Sequence, residues 1–400
     1  MSDWYEAKIK DFADVKGGKR LPKGKQLVKE PNNHPYIRIR DLGKAKYLQL
    51  TSEYEYVDDE TQQSISRYIV NEGDILISVV GTIGLIGIVG ATLDGANQTE
   101  NCDKIINIVG VMPEYLYYYL KSNFGQEEIR KGTVGAVQPK LPLKNVKDIS
   151  VFYPSMEEQE KIVAILSAID EKIETNEAVN NNLLQQASSI FKAWFIDPDI
   201  SEHEDWQMVT LEDITSLVTR GIAPKYSDES DQIVINQKCI RDHMLDLSPA
   251  RKHLPKKINE KWLKKGDLLI NSTGQGTLGR AAQIWFDPVN MTVDSHVTIV
   301  RPKNEKLIYY IGIWGILHER EIESLHTGST GQTELPRDRV KGLELLLPDE
   351  NALDQFNSVV KPITEFIISN QNENIRLADL RDSLLPKLMS GEIDVSDINF

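Results

Sequence analysis

The chain is poor in the residues that announce a catalytic centre. It has two cysteines in 400 residues, Cys102 and Cys239, which make no metal-ligand or redox spacing and no disulfide framework. The seven histidines are scattered, and no Ser/His/Asp set, carboxylate pair or Walker loop can be picked out. No apolar run approaches the ~20 residues of a membrane span, and the opening Met1-Ser2-Asp3-Trp4 lacks a charged-then-apolar signal pattern. Low-complexity segments are missing too. A cytoplasmic protein without a metal or cofactor of its own is expected.

One stretch does imitate an enzyme motif. Gly274-Gln275-Gly276-Thr277-Leu278-Gly279 fits the dinucleotide fingerprint, with Asp294 twenty residues after its first glycine. A dinucleotide site also needs a helix immediately afterwards, whose N-terminus holds the pyrophosphate. Here Arg280-Ala281-Ala282-Gln283-Ile284-Trp285-Phe286 reads as a strand and stops at Asp287-Pro288. A nucleotide site is therefore not expected.

What the chain does have is a long helical pattern. Between Glu157 and Trp194 there is no Gly or Pro, and Ile162, Leu166, Ile169, Ile173, Asn176, Asn180, Leu183, Ala187, Ile190 and Trp194 recur at alternating steps of four and three. That is the 3.5-residue period of a helix lying along a partner helix. Adding 194 to each position gives Phe356, Val360, Ile363, Ile367, Asn370, Asn374, Leu377, Arg381, Leu384 and Leu388. This second seam repeats both asparagines. A seam amide weakens apolar packing but penalises every register that leaves it unpaired. Two unrelated amphipathic helices with solvated asparagines are the plainer alternative.

The segments before the helices repeat as well. Asp3-Trp4 returns as Asp205-Trp206, Gly73-Asp74-Ile75-Leu76-Ile77-Ser78 as Gly266-Asp267-Leu268-Leu269-Ile270-Asn271, and Leu116-Tyr117-Tyr118 as Ile308-Tyr309-Tyr310. Each globule reads as mixed α and β, with strands at Tyr36 to Ile39, Asp74 to Val80, Leu85 to Val89 and Ile105 to Val109. A helix is expected from Pro113 to Ser122, with Leu116, Tyr119 and Leu120 on its buried face. The fold class is thus α+β: two tandem mixed α/β domains separated by two long helices packed as an antiparallel coiled coil. The expected boundaries are residues 1–155 for the first domain, 156–197 for the first helix, 198–348 for the second domain, and 349–400 for the second helix and tail.

A net charge of −14 argues at first against nucleic acid. The distribution says otherwise. Residues 156–205 carry −9 and residues 349–400 carry −6, whereas residues 1–50 carry +6. The acidic helices therefore face proteins, and phosphate contact belongs to the globules. Candidate phosphate ligands are Lys19, Arg20, Lys23, Lys25, Arg38 and Arg40 in the first copy and Arg220, Lys225, Arg251 and Lys252 in the second. Two Gly/Thr/Gln-rich loops recur in both copies. They supply Gly81, Thr82, Gln138 and Lys140 in the first, and Gln275, Thr277, Arg280, Ser329, Thr330 and Gln332 in the second. Small residues let backbone amides approach phosphate, and Gln and Thr can bond base edges. Simple flexible turns remain the other reading.

At this point the chain resembles the specificity subunit of a type I restriction-modification enzyme over nearly its whole length. The resemblance rests on the tandem globule-and-helix plan, the two Gly-Asp-(Ile/Leu)-Leu-Ile strands, and Pro154-Ser155-Met156-Glu157-Glu158-Gln159-Glu160-Lys161-Ile162-Val163 at the start of the first helix. The second start, Pro348-Asp349-Glu350-Asn351-Ala352-Leu353-Asp354-Gln355-Phe356, departs from it. The resemblance implies target-recognition domains on double-stranded DNA and a chain that is not itself an enzyme. It also implies two methyltransferase subunits and two restriction subunits as partners, which use S-adenosylmethionine, ATP and Mg. Antiparallel helices would relate the globules by an approximate two-fold axis, matching half-sites about one turn (~34 to 36 Å) or slightly more apart. An acidic DNA mimic that binds methyltransferase subunits is the alternative.

Overall fold

The computed structural model describes residues 4–198, 204–254, 257–274, 276–328 and 333–398. The chain forms two compact units, Met1–Glu174 with Asn374–Phe400, and Thr175–Glu373. The division falls within both long helices, α1 (Met156–Phe195) and α2 (Glu350–Met389).

In the first unit a five-stranded sheet runs in the order Asp14–Gly17, Cys102–Ile106, Ile75–Ser78, Ile86–Val89, Tyr47–Leu48. All neighbours are antiparallel except the last pair. Ile75, Leu76 and Ile77 are buried on both faces of this sheet. That is why they read as a continuous apolar run rather than an alternating one. A smaller sheet joins Glu55–Tyr56, Pro35–Ile37 and Asn97–Gln98, and Tyr5–Lys8 pairs antiparallel with Ser150–Tyr153.

The second unit repeats the first four strands of this order. Its main sheet is Thr215–Arg220, Val297–Pro302, Leu268–Asn271, Ala281–Gln283, and its smaller sheet is Arg251–Lys252, Ile233–Ile235, Met291–Val293. Gln207–Thr210 pairs antiparallel with Glu344–Leu347. Equivalent positions can therefore be compared directly.

Two expectations for the first globule need correction. The strand placed at Ile105 to Val109 runs instead from Cys102 to Ile106, because Asn107 turns to a φ of +54° and ends it. Its early residues include the charged Asp103 and Lys104. Lys104 is nevertheless buried, donating to the Ile69 carbonyl with Asp74 3.9 Å away. The helix Pro113–Lys121 buries Tyr115 through Leu120 without a break, not one face. Tyr118 donates to Asp170 on α1 at 2.7 Å and Tyr115 to the Phe152 carbonyl at 2.9 Å, so the tyrosine hydroxyls are satisfied inside.

Within each unit the segments of α1 and α2 pack on one another and on the domain. In the second unit Asn370 donates to Asn180 at 2.8 Å and Asn176 to Glu373 at 2.8 Å. In the first, Asn374 lies 3.4 Å from the Ile173 carbonyl, and Arg381 donates to Asp170 at 3.0 Å. Ile162, Leu166 and Ile169 are buried, as are Phe356, Val360 and Ile367, while Ile173 and Ile363 are half-buried. Past Asn180 the buried face slips by one residue, to Leu184, Phe191 and Phe195 in place of Leu183, Ile190 and Trp194. In α2 the same slip brings Leu385 and Met389 inside in place of Leu384.

The tail after α2 returns to the first unit. Gly391 has a φ of +72°, and a Cβ there would meet the Trp4 ring at 2.9 Å. Lys161 donates to the Ser396 carbonyl at 2.7 Å, and Val395 is buried.

Candidate nucleic-acid interface

At one end of each main sheet, successive loops are tied edge to edge by backbone hydrogen bonds. In the first unit Leu141 N–H donates to Val79 O at 2.9 Å, Val79 N–H to Asn101 O at 2.8 Å, and Thr99 N–H to Ile37 O at 3.1 Å. Lys140 bridges to both Val80 and Val134. This brings Gly81, Thr82, Gln138 and Lys140 together on two adjoining loops, all four exposed. Gly81 and Gly135 hold φ of +76° and +93°, which is why the hairpins here are built on glycine.

The second unit builds the same platform. Leu335 N–H donates to Ser272 O at 2.8 Å, Ser272 N–H to His296 O at 2.8 Å, and Asp294 N–H to Ile235 O at 2.9 Å. Glu334 occupies the place of Lys140, bridging to Thr273 and Thr327. Arg220 binds Glu334 at 2.6 Å and donates to the Leu335 carbonyl at 2.8 Å. Thr277 lies on the turn from Gly274, and Arg280 N–H donates to Thr277 O at 3.3 Å. The strand Ala281–Gln283 follows directly, so the chain leaving the glycine turn does not open a helix. Gln275, Ser329, Thr330 and Gln332 lie outside the described residues.

The remaining predicted cations divide by what they touch. Lys19 and Arg20 border the platform: Lys19 N–H donates to Gln98 O at 3.3 Å and Arg20 binds Glu100 at 2.7 Å. The Lys19 ammonium lies over the Tyr68 ring, 5.6 Å from its centroid. Lys25 is committed to Asp58 at 3.1 Å and Glu60 at 2.5 Å, and Arg38 and Arg40 both converge on Glu55. Lys23, Lys225 and Lys252 are exposed. Arg251 stacks on Tyr226 with its guanidinium carbon 3.6 Å from the ring centroid.

Beneath the first platform lies Asp103, buried and with no hydrogen-bond partner for Oδ2 among the described residues. Burial pushes its carboxyl up to about 6, with the Lys140 ammonium pulling the other way. An unfolded Asp titrates near 3.9. Ionisation is therefore harder in the folded state, and stability falls as pH rises from about 4 through about 6. Asp103→Asn should remove this loss, raising stability by about 2 kcal/mol at pH 8 and changing little at pH 4. Urea midpoints at the two pH values measure it. Equal midpoints for variant and parent at pH 8 would show a solvated carboxyl.

Residues the motif search passed over complete the platform. Thr99-Glu100-Asn101 and Asp294-Ser295-His296 form equivalent turns in which the first side chain faces the third backbone amide. Gln237 and Thr273 adjoin the second turn. The signal for them was the alignment of the two copies, since each turn pairs a short polar side chain with a second polar residue two positions on. Among the described residues no group of three or more His, Cys, Asp or Glu side chains is placed to hold a metal ion, and no helix is long and apolar enough to cross a membrane.

Residues 1–185 and 203–377 match the type I restriction modification DNA specificity domain, one match in each half of the chain. The chain is 26% identical to the type I restriction enzyme MjaIX specificity subunit of Methanocaldococcus jannaschii, over 99% of this chain and 95% of that one. It is 24% identical to the HindI specificity subunit of Haemophilus influenzae, over 98% and 100%. Its fold is that of the type I restriction-modification S subunit from M. genitalium, with a TM-score of 0.54, 16% identity, and coverage of 97% of this chain and 96% of that one. With both halves matched, and the loop platform built once in each, the chain belongs to the type I restriction-modification DNA specificity family.

Proposed function

We propose that each recognition domain reads one half of an asymmetric, two-part DNA site through its loop platform. The two long helices set the unread gap and dock two methyltransferase subunits, with two restriction subunits completing the complex. Adenine methylation from S-adenosylmethionine, and cleavage that uses ATP and Mg, are the work of those partners rather than of this chain. The observation that carries this reading is the platform built twice with different side chains, Lys140 in one copy and Glu334 paired to Arg220 in the other. Identical scaffolds with different exposed chemistry suit two different half-sites. The acidic-mimic alternative fits less well, because a mimic needs carboxylates across its binding face and here they concentrate on the helical segments.

Inserting one heptad in α1 and one in α2, then sequencing methylated adenines from the complete complex, tests the ruler. Each heptad adds ~10 Å of helix, about three base pairs of DNA. The expected result is an unchanged pair of half-sites with a longer gap. The parent gap recovered from the lengthened protein would overturn it.

A further inference from the structure

We infer that Asn101 and His296 are equivalent base-reading residues, one for each half-site. This rests on the proposed two-part recognition and adds which side chains do the reading.

The two residues occupy the same place in the two domains. Asn101 N–H faces Thr99 Oγ1 at 3.4 Å, and His296 N–H donates to Asp294 Oδ1 at 2.8 Å. The carbonyl of each then accepts from the next loop, from Val79 and Ser272 respectively, at 2.8 Å in both cases. Backbone bonds on both sides thus fix each residue in the middle of the platform, between the loop carrying Gly81 or Gly274 and the neighbouring strand end. A side chain held this way is pre-organised for contact.

His296 is exposed, and a side-chain relay holds its Nδ1. The Gln237 amide nitrogen donates to the Thr273 carbonyl and, at 2.8 Å, to Thr273 Oγ1. Donation to the carbonyl orients the amide, because only its nitrogen can donate. The Thr273 hydroxyl, accepting from Gln237, has its own hydrogen for His296 Nδ1 at 2.8 Å. With that hydrogen given to Nδ1, Nδ1 is the acceptor and Nε2–H the donor. Nε2 has no partner among the described residues, so a single donor is presented outward.

Asn101 offers different chemistry from the same spot. Its side-chain amide has one acceptor and two donors, with no partner among the described residues. The adenine major-groove edge presents an acceptor beside a donor, which an Asn amide matches in two bonds. The guanine edge presents two acceptors, which suits a lone imidazole N–H. The exchange of one side chain at one scaffold position would give the two domains different preferences at one base pair each.

The test uses the full chain in its complete complex, with methylated adenines sequenced genome-wide for the parent, Asn101→His, His296→Asn and the double exchange. His296→Asn should change preference at one position of one half-site, moving it toward adenine, with discrimination there falling about 10- to 100-fold. Asn101→His should alter one position of the other half-site, and the gap should stay fixed in every variant. Thr273→Val, which removes the hydroxyl that holds Nδ1, should weaken selectivity at the His296 position alone. Unchanged half-sites in both single variants would overturn the assignment. So would a uniform loss across all sequences with a lower salt slope, the behaviour of a phosphate contact. If the parent itself yields no two-part site, the underlying reading fails instead, and the two failures are told apart by that control.

Discussion

Arg381→Ala is expected to cost roughly 3 to 5 kcal/mol of the first unit's stability. Arg381 donates to Asp170 at 3.0 Å, and the two side chains are only 23% and 10% exposed. Asp170 also accepts from Tyr118 at 2.7 Å, which links α1, α2 and the tyrosine helix at one carboxylate. Removing the guanidinium leaves that carboxylate buried beside a hydroxyl and nothing positive in contact. The duplication supplies the control. At the positions 194 residues away, Asp170 is replaced by Thr364 and Arg381 by Ala187, both buried without an ion pair between them. The double variant Asp170→Thr with Arg381→Ala should therefore recover most of the loss, because removing both members of a buried pair strands no charge. Chemical denaturation of the four proteins gives the coupling. A double variant as unstable as Arg381→Ala would mean that packing of the arginine stem, and not its charge, is what the first unit needs.

That ion pair also shows where sequence reading reaches and where it stops. The heptad seam predicted an arginine at an apolar position without a reason for it. Its partner lies on the other helix, 211 residues away, and no local pattern could name it. The seam from Ile162 to Asn180 was legible because there the residues buried in the structure, Ile162, Leu166, Ile169, Asn176 and Asn180, keep the 3.5-residue spacing. Beyond Asn180 the cover changes. Phe191 and Phe195 each pack 5.1 Å from the Tyr310 ring of the domain. A straight helix drifts against a 3.5-residue period, and a domain on its flank selects the drifted face. Charge was equally local in its information. At Lys25, Arg38 and Arg40 a sequence shows the cation and not the carboxylate that Asp58, Glu60 or Glu55 brings to it. The platform loops were found through their glycines, which mark backbone geometry. Asn101 and His296 carried no such mark, since a turn with a half-buried amide or an exposed imidazole is ordinary until hydrogen bonds place it beside another loop.

Gly221→Ala should be the most damaging single methyl group in the second unit. A Cβ there would lie 1.9 Å from the Val293 carbonyl oxygen and 2.4 Å from that of Asp294. Its counterpart Gly18 would meet the Thr99 carbonyl oxygen at 2.0 Å. Neither glycine needs a positive φ; both are required by the crossing of two backbone segments, which cannot rotate aside as a side chain can. Overpacking in a rigid core costs typically ~1 to 3 kcal/mol, and contact with backbone on this scale belongs at or above the upper end. Gly342→Ala provides the contrast, because the nearest atom to its Cβ is 3.5 Å away and its φ is −81°. It should be neutral or slightly stabilising. The crossing at Gly221 abuts the Asp294 to His296 turn, so the damage should reach recognition as well as stability. Hydrogen exchange on the full chain should show faster exchange across residues 215–222 and 291–298 in Gly221→Ala, with the first unit unchanged. In the complete complex, the same variant should lose selectivity in the half-site read by the second domain while the other half-site persists. Protection equal to the parent's across residues 291–298 would mean that the two segments can part without cost, and the crossing would then not be what holds the turn in place.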